Sequence, residues 1–91
     1  MTFEQLKMLA CKHFKVTPSQ VEGKGRKLDV VYARIAMAKV LHECGCTIHE
    51  IADMLGVSRS LVFNHLKTFD DRMKYDKIFA NTYKDFKEEC D

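Results

Sequence analysis

Residues 56–67 read "GVSRSLVFNHLK", Gly56 through Lys67, and lie between the apolar stretch Ile48–Leu55 and a charged tail. Leu61-Val62-Phe63 has strand propensity, but three residues are too short a run to decide between strand and helix. The surrounding spacing decides it. Two helices that cross closely need a small residue at the contact, a turn residue tolerant of positive φ, and apolar side chains for a shared core. Ala52 and Gly56 supply the first two, and Ile51, Leu55, Val57, Val62 and Leu66 supply the third. The spacing Ala52, Gly56, Val62 is the usual helix-turn-helix pattern, spanning 47–69. It predicts a second helix from about Arg59 to Phe69, capped by Ser58.

That helix divides into two faces. Val62, Leu66 and Phe69 are expected in the core, and Ser58, Arg59, Ser60, Phe63, Asn64 and Lys67 on the outside. The outer set suits a DNA major groove. Arginine forks onto guanine, asparagine onto adenine, and an aromatic ring meets a thymine methyl. Ser58 and the helix N-terminus suit a phosphate. An ordinary helical hairpin would also carry a polar outer face, but exposed Phe63 argues against one, because an apolar ring in a solvated face wants a partner.

Working outward, helical periodicity and cap signals dominate. Thr2-Phe3-Glu4-Gln5 is a capping box, with Phe3, Leu6, Ala10 and Phe14 on one face behind it. Thr17-Pro18-Ser19-Gln20 is a second box, predicting a short helix near 18–22. Residues 23–27, GKGRK, form a basic loop. A helix over about 29–44 is expected to bury Val31, Ile35, Ala38 and Leu41 and to stop at Gly45. Thr47-Ile48-His49-Glu50 opens the next helix, which buries Ile48, Ile51, Ala52 and Leu55. A last helix, about 76–89, repeats Phe79, Tyr83, Phe86 and Cys90 behind a possible Asp76 cap. The expectation is one all-α domain, 1–91, of five to six helices.

Composition narrows the function. Ninety-one residues, 46% hydrophobic and 31% charged, make a small globular domain rather than a disordered chain. No apolar run is long enough to span a membrane, and MTFEQLKM lacks the apolar core of a signal peptide. Four cysteines (Cys11, Cys44, Cys46, Cys90) without such a leader are expected to be free thiols in a reducing, cytoplasmic setting. Net charge is +2, divided unevenly. Residues 1–75 hold 12 Lys/Arg against 8 Asp/Glu, and residues 76–91 hold 3 against 5. The front of the chain can thus face a polyanion while the tail does not.

Several segments together resemble the C-terminal DNA-binding domain of the bacterial chromosomal replication initiator DnaA, over residues 8–89. "CKHFKVTPSQVEGKGRK" is similar to its opening helix, short second helix and basic loop. "VVYARIAMAKVL" resembles its arginine-containing helix, one residue shorter near Arg34-Ile35. "TIHEIADMLG" resembles its S-x-x-E-I-G-x-x-F-G helix, and "VFNHLKTFDDRMKYDKIF" its trailing helices. The resemblance implies a helix-turn-helix, Trp-repressor-like fold that binds double-stranded DNA. It also implies that Lys24, Arg26 and Lys27 grip backbone and reach a minor groove, with Arg34 as a further candidate. Where the family reads R-D-H-[ST]-T-V, this chain carries Val57, Ser58, Arg59, Ser60, Leu61 and Val62, so the initiator's base specificity does not carry over. The initiator's ATPase module has no counterpart here. A stand-alone regulator of replication or transcription, bacterial or from a phage or mobile element, is the expectation.

Other chemistries have less support. His42, Cys44, Cys46 and His49 have zinc-compatible side chains, but Cys-x-Cys across a helix end at Gly45 is not a common zinc arrangement, so no metal site is expected. Gly23 and Gly25 lack the spacing of a nucleotide-phosphate loop. No nucleophile–base pair or carboxylate cluster suggests an enzyme, and no cofactor or small-molecule substrate is expected. The rival reading is a protein-interaction module, in which an exposed Phe63 and His65 and the acidic tail bind a protein partner.

Overall fold

The computed structural model describes residues 1–23 and 27–91, and among these it is all-helical. Six helices follow in order: α1 (Phe3–Phe14), α2 (Pro18–Glu22), α3 (Leu28–Glu43), α4 (Ile48–Leu55), α5 (Arg59–Tyr75) and α6 (Lys77–Cys90). No described helix is long and apolar enough to cross a membrane.

Local chemistry sets the starts. Thr2, Thr17 and Thr47 each accept from the backbone N–H three residues on, while Gln5, Gln20 and Glu50 reach back to the cap residue's own N–H. Each box satisfies two donors that the helix ladder leaves open. Ser58 and Asp76 cap α5 and α6 with one bond each, to Leu61 N at 3.2 Å and Phe79 N at 3.1 Å. Two glycines set the ends beside the turn pair. Gly45 (φ 98°) lets Cys46 N–H reach Leu41 O at 3.1 Å, and Gly56 (φ 69°) lets Val57 N–H reach Ala52 O at 3.1 Å. Positive φ at both positions favours a residue without a Cβ.

The second helix of the pair is longer than its pattern suggested. It continues past Phe69 to Tyr75, because Asp70-Asp71-Arg72-Met73-Lys74 contains no breaker, and it stops only where Asp76 turns extended to cap α6. Its core face also differs. His65 takes a buried position beside Val62 and Phe69, while Leu66 is only half-buried.

Helix α3 is the axis of the fold. It packs on each of the other five helices, and every residue from Tyr32 to Ala38 is buried. The stretch Val30–Ala38, apolar on every side apart from Arg34, is driven to the centre. As a result Val30 is buried while Val31, expected inside, is half-buried. At the far end, Phe14, Phe69, Phe79, Tyr83 and Phe86 meet edge-on, at centroid separations of 4.8–6.2 Å. This aromatic cluster joins α1, α5 and α6. It seats the turn pair α4–α5 on one side of the molecule, with Ile51, Ala52, Leu55 and Val62 forming the shared core.

Candidate nucleic-acid interface

The first half of α5 is the candidate surface. Arg59, Ser60, Phe63, Asn64 and Lys67 are all exposed, and at 100° per residue they occupy about 140° of arc. Val62, His65 and Phe69 face the opposite way, into the core. The sequence-predicted outer face is therefore brought together as one continuous strip. Ser58 precedes it in extended conformation, with its hydroxyl committed to the Leu61 N–H.

Three properties of the strip matter chemically. No acidic residue occupies the first turn of α5, so the partial positive charge of the helix N-terminus adds to Arg59. Phe63 is 56% exposed, and among the described residues no ring or cation packs on it. Asn64 is exposed, and the Thr68 hydroxyl donates to its backbone carbonyl, at 2.9 Å, and not to its side-chain amide. A fork donor, an amide and an unsheathed ring thus stand within two turns of one another.

Lys27 is exposed at the start of α3, where its carbonyl accepts Val31 N–H at 3.0 Å and its side chain makes no cap bond. Lys24 and Arg26, its expected partners in gripping backbone, lie outside the described residues.

Arg34 is not at the surface, and its expected role as a DNA contact is corrected. It is 5% exposed. Its Nε donates to Val21 O at 3.0 Å, and its Nη2 donates to Gln20 O at 3.2 Å and to Gly23 O. The guanidinium closes the C-terminal end of α2, where helical carbonyls lack partners. Burial lowers its pKa.

His65 is likewise buried, at 6% exposure, so it is unavailable to a partner protein. Its Nε2 has no hydrogen-bond partner. Burial first, then the Arg34 and Arg72 charges, lower its pKa from 6.5 to about 4. The imidazole is neutral at physiological pH.

The cysteines are free. Cys11 is buried, Cys46 and Cys90 are half-buried, and Cys44 is exposed. Among the described residues no group of three or more His, Cys, Asp or Glu side chains is placed to hold a metal ion. His49 instead approaches Asp53 along α4, at 3.4 Å.

Protein-family profiles, curated protein sequences and solved structures offer no match to this chain.

Proposed function

We propose that the chain is a sequence-specific double-stranded DNA-binding protein that reads the major groove with the first half of α5. The observation that carries this reading is the exposed strip Arg59–Ser60–Phe63–Asn64–Lys67 on the second helix of a tight turn pair, its opposite face locked into the core. Side chains on a helix anchored that firmly reach base edges without first having to be ordered. The segment-by-segment resemblance to the DnaA C-terminal domain supports the same reading, and on it the protein is a cytoplasmic regulator, bacterial or phage-borne. Val57 through Leu61 replace the initiator's base-reading residues, so its target is not the initiator's box.

The test is a titration of labelled duplex. Binding to random duplex should weaken steeply with added salt, as released counterions demand, and selection from a random library should return a preferred site. Arg59→Ala should cost about 1–3 kcal/mol on that site and relax base preference there. If the variant treats every sequence as the parent does, Arg59 reads no base.

A second reading, a protein-interaction module, is favoured by other exposed apolar residues. Tyr75 is 75% and Ile78 78% exposed where α5 meets α6, away from the strip. Duplex binding that is absent at low salt would put this reading first.

A further inference from the structure

Helix α1 buries Leu6, Ala10, Cys11 and Phe14 against the core and leaves its opposite face bare. On that face Glu4, Gln5, Met8 and Lys12 are exposed, and Leu9 is half-buried against the core cluster. At 100° per residue these five span about 140° of arc. Together with Met1 they line a shallow groove whose walls are mostly apolar. Met8, at its middle, is 59% exposed, and its flexible thioether adapts to whatever packs on it. The helix makes no extensive contact with α4 or α5, and the groove uses no residue of the strip on α5.

The charges on this face choose its occupant. Glu4, Met8 and Lys12 stand in one row, each about a turn from the next, with opposite charges at the two ends. Each charge has an internal partner: Glu4 lies 3.2 Å from Lys7, and Lys12 2.9 Å from Glu89. Glu4 and Lys12 are nonetheless 73% and 65% exposed, so both keep a solvent side open to a second partner. A uniformly acidic or basic protein would match one end of the row and be repelled by the other. A second copy laid antiparallel matches both ends. A two-fold axis at Met8 sets Glu4 against the partner's Lys12, Lys12 against the partner's Glu4, and the two Met8 side chains against each other.

We infer that the outer face of α1 is a self-association surface, on which a second copy of this chain packs antiparallel about a two-fold axis at Met8. Apolar contact of Met1, Met8 and Leu9 drives the association. The Glu4–Lys12 pairs fix its direction, because a parallel arrangement would set like charges together. One helix face is small for an interface, so the dimer is weak and depends on concentration. The inference stands apart from the DNA-binding reading, and neither requires the other.

Sedimentation equilibrium on the chain, at loading concentrations from about 10 µM to about 1 mM, tests it. The parent should shift from monomer towards dimer over that range. Glu4→Lys and Lys12→Glu, each by itself, should weaken the dimer about ten-fold, because each sets two like-charged pairs across the axis. An equimolar mixture of the two variants should regain the parent's association to within about three-fold, since the mixed pair has opposite charges at both ends. Repulsion inside one chain, from Lys7 or Glu89, is the same mixed or unmixed, so only contact between copies explains the recovery. Met8→Asp, which places two carboxylates on the axis, should stay folded by circular dichroism and monomeric throughout, and it decides the matter if a charge variant fails to fold. A parent that remains monomeric at about 1 mM leaves the groove to some other partner and overturns the inference. So does a mixture that associates no more tightly than its components, or a dimer that survives Met8→Asp.

Discussion

His65 is a neutral imidazole in the core of α5, with Arg34 and Arg72 near it and no hydrogen-bond partner for Nε2. An unfolded histidine takes up a proton near pH 6.5, and this one does so only near about 4. Between those values the unfolded state binds more protons, so stability must fall as the pH drops through that window. At pH 5 the loss is about 2 kcal/mol, approaching roughly 3 kcal/mol by pH 4. Asp76 has the same sign of linkage, because its folded pKa is also lowered, but over a more acid window. The Tyr32 hydroxyl hydrogen-bonded to it, with the Phe79 N–H, lowers its pKa below the ordinary 3.8, so its contribution disappears only at more acid pH. Denaturant melts at pH 7.5 and 5.0 should show the larger loss in the parent and little of it in His65→Leu. Equal losses in both proteins would place the acid sensitivity elsewhere.

At the scale of elements, the turn between α4 and α5 is the sensitive joint. Gly56 has φ 69° with open space around the missing Cβ, so a substitution there is penalised through the backbone and not by a clash. Gly56→Ala should cost about 1–2 kcal/mol and Gly56→Asn less, because asparagine tolerates the left-handed region. Chemical denaturation of the two variants checks the order. The cap boxes at Thr2, Thr17 and Thr47 were legible in the sequence because their chemistry is local, confined to four residues. The far end of α5 was not. A helix with no breaker after Phe69 continues until another element needs the chain, and Asp76 was wanted as the cap of α6.

Across the whole molecule, α6 is joined to the turn pair through the aromatic cluster and not through the chain alone. Phe79 is fully buried, edge-on to Phe14 and Phe69. Phe79→Ala should cost about 3–5 kcal/mol, and in a domain this small that threatens folding outright. A thermal melt followed at the α5 amides would show whether the strip is lost together with α6. The thiols should matter much less: no disulfide joins the elements, so melts with and without reductant should coincide. A large drop in melting temperature on reduction would show that a cross-link forms in solution.

The sequence alone determined the helical class, five capped helix starts, the Gly56 turn and the membership of the outer strip on α5. Each depends on spacing within a turn or two, and such spacing is written along the chain. Only the tertiary structure decided what becomes of Arg34 and His65. Both are polar residues that would ordinarily be assigned to the surface, and charge and imidazole chemistry look the same in the sequence whether wet or dry. Arg34 is buried because α3 packs on five neighbours, and His65 because α5 packs on α3, α4 and α6, which depends on how every helix packs. Once enclosed, the guanidinium must find carbonyls, and the nearest were the open ones at the end of α2.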